Sequence, residues 1–379
     1  MRGSPPIAPH FSPRARLNSR RAFTLIEILV AAAITALLAG FIFIIVHNVS
    51  TTWTRSTGRL GADAQARLVL DQLALDLQGA MFRDDGNVWL AVDVLDRTNN
   101  AGALWQLAPR NPKPSGTPLS LVMTAPNLSD ARYGQAGVWL RFFTTSRSTN
   151  AATASISAPV AVGYQIIRRY TAANPANLNT AYVLNRAESR PGASGTGSTA
   201  RPGVLESGYN ITAAAYTTSS SSTNSGATTG DPRSITVPGS ATGVRNLDSI
   251  LADNVIDFGV RCYVRDQTQP GGLRLIFPAT TNGALTNSPQ PLRSQLPSDT
   301  SSTAPNYNPR FLFPDVVDVM VRVLTDDGAQ QIANMEKNQT PALTVPVKYN
   351  GNAQQWWWGV AQENSRVYTR RIVLNAKSL

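Results

Sequence analysis

The sequence contains few of the residues that most often carry enzyme chemistry. Its 379 residues include one cysteine and two histidines. His10 and His47 both lie near the N-terminus, before the region in which a soluble domain is expected. Ser-His-Asp triads, Cys-His pairs and multi-histidine zinc sites all need a histidine that this region does not contain. The lone Cys262 also excludes an intrachain disulfide. We therefore expect no enzyme activity, no metal site and no cofactor.

Charged residues are also scarce, at 15% of the chain, and the formal net charge of +11 is unevenly distributed. Residues 1–22 contain five arginines and no acid. The other basic residues are scattered and form no dense run. Because a nucleic-acid-binding surface needs clustered lysine and arginine, nucleic acid is not an expected partner.

One long apolar run dominates the N-terminal region. It extends from Phe23 to Val46 and contains a single charged residue. About 20 helical residues span the hydrocarbon core of a bilayer, whereas the apolar part of a cleaved signal peptide has only about 7–15 residues. The run is therefore predicted to be a single membrane-spanning helix. The basic leader should stay in the cytoplasm, which places the chain from Asn48 onward outside the cytoplasmic (inner) membrane, in the periplasm.

Glu27 is the charged residue within this run. A carboxylate near a bilayer centre costs about 2.5–3.5 kcal/mol on insertion scales, so acids in membrane spans usually have a partner. Glu27 lies near the end of the run, where that cost is lower, and its side chain could instead reach the polar interface. A charge partner is the favoured interpretation, which makes Glu27 a candidate functional residue.

Three small residues in the run recur at a spacing of four positions, namely Ala32, Ala36 and Gly40. Small residues at this spacing let the backbones of two membrane helices approach closely. The spacing therefore predicts a helix-packing face. The alternative is that alanine and glycine are simply common in such helices.

The helical pattern continues beyond the membrane. No proline occurs between Phe23 and Arg83. Apolar residues recur there at helical spacing at Ala66, Leu70, Leu73, Leu77 and Met81. The sequence Asp84-Asp85-Gly86 is typical of a stop and a turn. We therefore predict one long helix, with a membrane half at residues 23–46 and an extramembrane half at residues 47–83.

Residues 84–379 are predicted to form a β-rich domain. Short runs of β-branched and aromatic residues lie between turn residues, and Val316–Leu324 alternates most clearly. Two stretches, 187–245 and 279–309, are rich in Ser, Thr, Gly or Pro and are predicted to be flexible loop insertions. The expected fold class is α+β, with the long helix packed on an antiparallel β-sheet.

Three consecutive tryptophans are the most unusual feature of this domain, at Trp356, Trp357 and Trp358. If they lie on a strand, alternate rings face opposite sides, and at least one ring is exposed unless both faces are covered. They could pack in the core with one ring partly exposed, or anchor an interface with a neighbouring subunit. The acids of the Asp315–Asp327 region lack the ligand spacing of an EF-hand, and Asp326-Asp327-Gly328 is predicted to be a turn.

The segment Arg21-Ala22-Phe23-Thr24-Leu25-Ile26-Glu27 resembles the type IV prepilin cleavage and methylation motif. It differs from that motif at Ala22, where the family usually has glycine. The resemblance implies that a prepilin peptidase cuts between Ala22 and Phe23 and that the new N-terminus is methylated. It also implies that Glu27 pairs with the N-terminal amine of a neighbouring subunit. The leader is then residues 1–22.

A second and looser resemblance covers residues 160–325. Val162-Gly163-Tyr164-Gln165-Ile166, followed by Tyr182-Val183-Leu184-Asn185-Arg186, is similar to a hairpin of the J-type minor pseudopilins of type II secretion. The large size and the Ser/Thr-rich insertions are also similar to the Verru_Chthon cassette C proteins. These resemblances imply a minor pilin or pseudopilin.

The expected function is therefore structural. The chain would assemble with other pilin or pseudopilin subunits into a type IV pilus-like or type II secretion filament, or initiate one. An enzyme displayed on a membrane anchor would need a catalytic constellation that the sequence does not supply. A filament-associated adhesin or binding module remains the alternative, with the Ser/Thr-rich loops or the tryptophans as its binding surface.

Overall fold

The computed structural model describes residues 24–94, 105–106, 137–145, 159–170, 180–189, 250–278, 291–337, 345–351 and 353–375. The leader, the predicted cleavage site at Ala22 and Phe23, and residues 190–245 and 279–290 of the predicted insertions lie outside the described residues. The chain divides into two compact units, Met1–Ser56 and Thr57–Leu379.

The predicted long helix is present as α1, which spans Leu25–Gln78 without interruption. It ends five residues before the predicted end at residue 83, because the chain joins a sheet there. Gly79 follows the helix, Ala80 forms a β-bridge with Thr144, and the Met81 N–H donates to the Phe143 carbonyl over 2.9 Å. The apolar residue at position 81 therefore belongs to the entry into the sheet rather than to the helix.

The strands and the two further α-helices of the described residues follow in chain order. They are β1 Leu90–Val94, β2 Trp105–Gln106, β3 Val138–Thr145, β4 Pro159–Tyr170, β5 Thr180–Ser189, β6 Ile250–Asp253, β7 Val255–Arg265, β8 Leu273–Phe277, β9 Leu292–Ser294, β10 Val316–Leu324, α2 Asp326–Lys337, α3 Ala353–Glu363 and β11 Ser365–Val373.

The described strands form two antiparallel sheets. The first has the order β6-β5-β4-β3-β1-β9, with β2 paired to β4. The second has the order β11-β10-β7-β8. The predicted hairpin is the β4–β5 pair, in which Tyr164 lies opposite Arg186 and Ile166 opposite Leu184. The run that alternates most clearly in sequence is β10, an inner strand of the second sheet.

The second part of α1 contributes one apolar face to the core of the Thr57–Leu379 unit. The fully buried side chains on this face are spaced at three or four positions, at Ala66, Val69, Leu73 and Leu77. They belong to one cluster with the inward-facing residues of both sheets, such as Phe142 and Phe258. Burial of this face against antiparallel sheets gives the α+β architecture that the sequence predicts.

The predicted turn at Asp326-Asp327-Gly328 is wrong, because these residues begin helix α2. Thr325 precedes the helix, and its hydroxyl accepts a hydrogen bond from the Gly328 N–H over 3.3 Å. This is the role of an N-cap residue. The two aspartates lie in the first turn, where negative charge is favourable for the helix dipole.

The tryptophans lie on helix α3 and not on a strand. Consecutive residues on a helix point about 100° apart rather than to opposite sides, so two neighbouring rings can enter one core. Trp357 and Trp358 are both buried, and Trp356 is partly exposed.

The described part of the predicted 279–309 insertion, residues 291–309, contains one short strand within its loop. Strand β9 pairs with β1 there, with Leu292 opposite Val92 and Ser294 opposite Leu90. Ladder hydrogen bonds use the backbone, so a polar, proline-rich composition does not prevent a short edge strand.

Candidate functional site

The N-terminal end of α1 is closed by a pair of reciprocal hydrogen bonds between Thr24 and Glu27. The Glu27 N–H donates to Thr24 Oγ1 over 3.3 Å, and the Thr24 N–H donates to Glu27 Oε2 over 2.9 Å. The Thr24 hydroxyl also donates to the same Oε2 over 3.0 Å. This is a capping box, which satisfies backbone N–H groups that have no partner within the helix.

The box holds the Glu27 carboxylate by one oxygen. Both Thr24 donors point at Oε2, and among the described residues Oε1 has no hydrogen-bond donor. One carboxylate oxygen at the start of the apolar segment is therefore left for a further donor. An ammonium group satisfies that oxygen with a charge-assisted hydrogen bond.

The segment that follows is apolar and exposed over its length. Its large apolar side chains are exposed on every side of the helix, including Leu25, Leu37, Ile42 and Phe43. Among the described residues, α1 is the one helix long and apolar enough to cross a membrane. Such a segment needs an apolar surrounding, either lipid or other helices.

The three small residues lie within this segment. Ala32, Ala36 and Gly40 are all helical and exposed, and a Cβ added at Gly40 meets no atom within 4 Å. The face they form is therefore open to a neighbouring helix backbone. Thr35, between two of them, donates its hydroxyl to its own helix at the Ala31 carbonyl over 2.6 Å.

The sequence at the start of this helix matches a known family model. A family model described as the prokaryotic N-terminal methylation motif matches residues 17–43. The chain carries this motif. No curated protein and no solved structure matches the chain. The methylation motif covers the predicted cleavage residues Ala22 and Phe23, the capping box and all three small residues. The sequence-based interpretation of the N-terminus is thereby confirmed at the level of the motif.

The other end of α1 is fixed by a buried polar cluster that sequence reasoning missed. Asp76 is 5% exposed and accepts hydrogen bonds from the Tyr164 hydroxyl and, over 2.7 Å, from Arg186 Nε. Thr144 donates its hydroxyl to the Asp76 carbonyl over 2.7 Å. Burial and the neighbouring Asp76 carboxylate raise the pKa of Tyr164 well above its usual value. The available signal was an acid in the apolar stripe, next to Leu77.

A more exposed set of contacts joins α1 to strand β11. Asp63 accepts from the Tyr368 hydroxyl and lies 3.5 Å from Arg366 Nη1, and Asp71 forms an ion pair with Arg370. The three β11 residues alternate along the strand and so lie on one face of it. Exposed ion pairs of this kind contribute little free energy, so they orient the helix more than they hold it.

The tryptophans, considered above as core residues or as a possible interface, lie largely inside the domain. Trp357 Nε1 and the Tyr182 hydroxyl both donate to Glu336 Oε1 of helix α2, and the Trp358 ring lies 5.2 Å from the Arg322 guanidinium carbon. Two of the three rings are therefore packed in the core. Trp356 alone is placed where it could contact another molecule.

The described residues include no candidate metal site, and the thiol of Cys262 is held in a form of low reactivity. They contain no group of three or more His, Cys, Asp or Glu side chains that could hold a metal ion. Cys262 is buried, and burial raises the pKa of its thiol well above the usual range. A thiol held in the neutral form is not a reactive nucleophile.

Proposed function

We propose that this protein is a structural subunit of a type IV pilus-like or type II secretion filament, held in the cytoplasmic membrane until it assembles. The observation that carries the proposal is the methylation motif at residues 17–43, with the Glu27 carboxylate at the start of an exposed apolar helix. A β-rich domain built on the same helix supports it, because one element then serves both as anchor and as core.

In this proposal, assembly follows from processing. A prepilin peptidase removes residues 1–22, and the new amine at Phe23 is methylated. The charged leader is then gone, and the exposed end of the helix carries an ammonium group and, four residues later, a carboxylate. Opposite charges attract strongly where the dielectric constant is low, and each offsets the desolvation of the other. Glu27 would therefore attract the amine of a neighbouring subunit.

The finer assignment is to the minor pilins or pseudopilins. The β4–β5 hairpin occupies the residues that resemble the J-type minor pseudopilins, which favours that subtype. Minor subunits are present in few copies, and one with a large β-rich domain suits the initiating end of a filament. Its partners would be other subunits that carry the same motif.

The decisive experiment changes Glu27 and measures filament incorporation. We expect Glu27→Gln to insert and to be processed normally, because removing a charge from the span makes insertion easier. It should nevertheless fail to join the filament. Glu27→Asp should be partly impaired, because the shorter side chain keeps the charge and loses geometry. The readout is the fraction of each variant recovered in sheared or crosslinked filament complexes.

Processing is tested separately by N-terminal mass spectrometry of the chain from its native membrane. The expected mature chain starts at Phe23 and carries one N-methyl group. Normal assembly of Glu27→Gln would contradict the pairing role. A chain that keeps residues 1–22 beside an active prepilin peptidase would contradict the whole proposal.

A further inference from the structure

Strand β11 lies at the edge of the second sheet and has one open side. Among the described strands it pairs with β10 alone, from Ser365 opposite Leu324 to Val373 opposite Val316, without a break in register. Edge strands are usually protected from pairing with other chains by proline, by a bulge, by short length or by charge. This strand has nine residues, no proline and no bulge. It is therefore long and regular enough to pair with a further strand.

The charges of β11 are compensated within the chain. The strand carries three arginines, and each forms an ion pair with an aspartate of α1 or β10. Because each guanidinium already has an acidic partner, these charges give little protection against an approaching segment. The three pairs are Arg366–Asp63, Arg370–Asp71 and Arg371–Asp318.

The backbone groups on the open side belong to every second residue of β11. The residues that flank the strand form hydrogen bonds to the β10 side, through the Leu374 N–H over 2.8 Å and the Asn364 carbonyl over 2.9 Å. In an antiparallel ladder, backbone groups point towards the paired strand at alternate residues. Residues at odd positions, such as Val367, Thr369 and Arg371, therefore direct their N–H and C=O groups away from β10. No described strand pairs with them there.

Helix α1 presents exposed leucines beside this open side. Leu68 and Leu75 are 53% and 40% exposed, although they lie in the half of the helix that packs in the core. Successive residues turn by about 100° around a helix, so Asp63 and Asp71, which contact β11, follow the buried face, and the two leucines come next. A strand added to the open side of β11 would therefore place side chains beside these leucines.

We propose that the open side of β11, together with Leu68 and Leu75, is a docking site for an extended segment of another filament subunit. The segment has apolar side chains at every second position. Its backbone pairs with the outward-facing N–H and C=O groups of β11, and its apolar side chains cover the leucines. Backbone pairing supplies affinity in this mode of recognition, and the alternate side chains supply specificity. The identity of the partner rests on the proposed function, whereas the surface itself is defined by the fold.

The β11 strand of a second copy fits this site less well. On the side that faces α1, β11 carries Arg366 and Arg370, which contact the aspartates of the helix. A second β11 would bring these guanidinium groups, rather than apolar side chains, against the leucines. The observations therefore favour a different segment as the occupant.

The first test changes the backbone at the open side. It uses the full-length chain in its native membrane, with tagged variant and untagged parent competing for the same filaments. Thr369→Pro removes an N–H that faces away from β10, so it removes no bond to β10 and blocks one bond to an added strand. We expect its incorporation to fall about tenfold. The matched control is Thr369→Val, which keeps the N–H and the β-branched shape and should match the parent.

The second test changes the apolar part of the site. Leu68→Asn should be incorporated severalfold less than the parent, because an amide is a poor partner for apolar side chains. Leu68→Met keeps an apolar side chain of similar volume and should match the parent. Leu68 is exposed, so neither variant should shift the midpoint of thermal unfolding. Normal incorporation of Leu68→Asn would exclude the leucines from the site.

Amide hydrogen exchange of the parent chain tests the site without any substitution, and so remains decisive if Thr369→Pro fails to fold. The N–H groups of Val367, Thr369 and Arg371 should exchange about tenfold more slowly in native membranes than in the purified full-length chain. Those of Tyr368 and Arg370 point to β10 and should be protected in both samples.

Three results of that measurement would overturn the inference. Equal rates for the outward-facing amides in both samples would show that no strand is added. Slow exchange in the dilute purified chain would show that a segment of the same chain covers the edge. Slow exchange that appears only when the purified chain is concentrated would show that a second copy covers it.

Glu27→Gln, measured in the same competition, separates this inference from the function it rests on. If Glu27→Gln is excluded from the filaments while Thr369→Pro and Leu68→Asn are incorporated normally, the inference alone fails. If the parent chain is absent from every filament complex, the proposed function fails, and the partner named here fails with it.

Discussion

At the scale of single residues, the acids of α1 differ in function because they differ in surroundings. Glu27 is exposed at the start of the apolar segment, Asp63 and Asp71 lie at the rim of the core, and Asp76 is buried. A buried carboxylate is tolerated only where donors replace its water. Asp76 has two side-chain donors from strands β4 and β5, Tyr164 and Arg186. The contacts of this acid therefore hold the end of α1 against the first sheet.

Substitution of Asp76 tests the contribution of these contacts to stability. We expect Asp76→Asn to lower the free energy of unfolding by about 3 kcal/mol, because it removes a buried carboxylate that is ion-paired with the Arg186 guanidinium. The matched control is Asp71→Asn, the same change on the same helix. Its pair with Arg370 is exposed, so its loss should cost less than about 1 kcal/mol. Urea unfolding of the detergent-solubilised protein measures both. Equal losses in the two variants would show that the buried cluster does not fix the helix.

The stability of the Thr57–Leu379 unit should fall at alkaline pH. Burial, and next the hydrogen bond to Asp63, raise the pKa of Tyr368 to about 12. The unfolded chain has the ordinary tyrosine pKa of about 10 and so loses this proton first. The contribution of the Tyr368 contact to stability is therefore fully present below about pH 10 and is lost as the pH rises towards 12. Tyr368→Phe should make the decline shallower, as measured by the midpoint of thermal unfolding between pH 9 and 12.

That decline should not disappear in Tyr368→Phe. Burial also raises the pKa of Tyr164 and of Tyr263, so these two phenols continue to contribute with the same sign. An unchanged slope in Tyr368→Phe would contradict the contact between β11 and Asp63.

At the scale of elements, the spacing of apolar residues predicted the helices and strands correctly where one pattern continued over several turns or residues. The apolar spacing at Leu70, Leu73 and Leu77 predicted the second part of α1, and the alternation of Val316–Leu324 predicted β10. Helix α3 was missed because three identical aromatic residues have no period of their own. Helix α2 was missed because Asp-Gly is also a turn signal, and the decisive residue is Thr325 before it.

The polar contacts between elements could not be read from the sequence at all. Asp76 and Arg186 are 110 positions apart, and Glu336 and Tyr182 are 154 apart. Only the folded backbone brings such residues together. At the N-terminus the case was different, because the residues of the motif lie next to one another in the sequence. The motif was therefore predictable, whereas the capping contact of Thr24 and the non-local polar contacts were not predicted.

The small-residue face of α1 yields a prediction for that element. Ala36→Leu should reduce filament incorporation severalfold, because a larger side chain keeps a neighbouring helix backbone at a distance. The matched control is Ala31→Leu, which lies on a different side of the same helix and should be incorporated normally. Both variants should insert into the membrane as the parent does, since leucine favours insertion. Equal incorporation of the two variants would exclude a packing face at Ala32, Ala36 and Gly40.

At the scale of the whole molecule, the two compact units depend on different surroundings. The described large apolar side chains of the Met1–Ser56 unit, from Leu25 to Trp53, are exposed, so this segment needs lipid or other helices. The Thr57–Leu379 unit contains the apolar core, including the buried face of α1 from Ala62 to Leu77. Helix α1 is thus an exposed apolar element in one unit and a core element in the other.

The last prediction follows from that division. A fragment that begins at about Ser56 should be soluble, monomeric and folded, because it keeps every buried residue of α1 and loses the exposed apolar segment. A fragment that begins at Gly79 is the matched control. It lacks the α1 face of the core, including Val69, Leu73 and Leu77, and should aggregate or unfold because burial of that face stabilises both sheets. Size-exclusion chromatography and cooperative thermal unfolding distinguish the two fragments. If both fragments behave alike, the buried face of α1 does not stabilise the core, and this account of its packing would be contradicted.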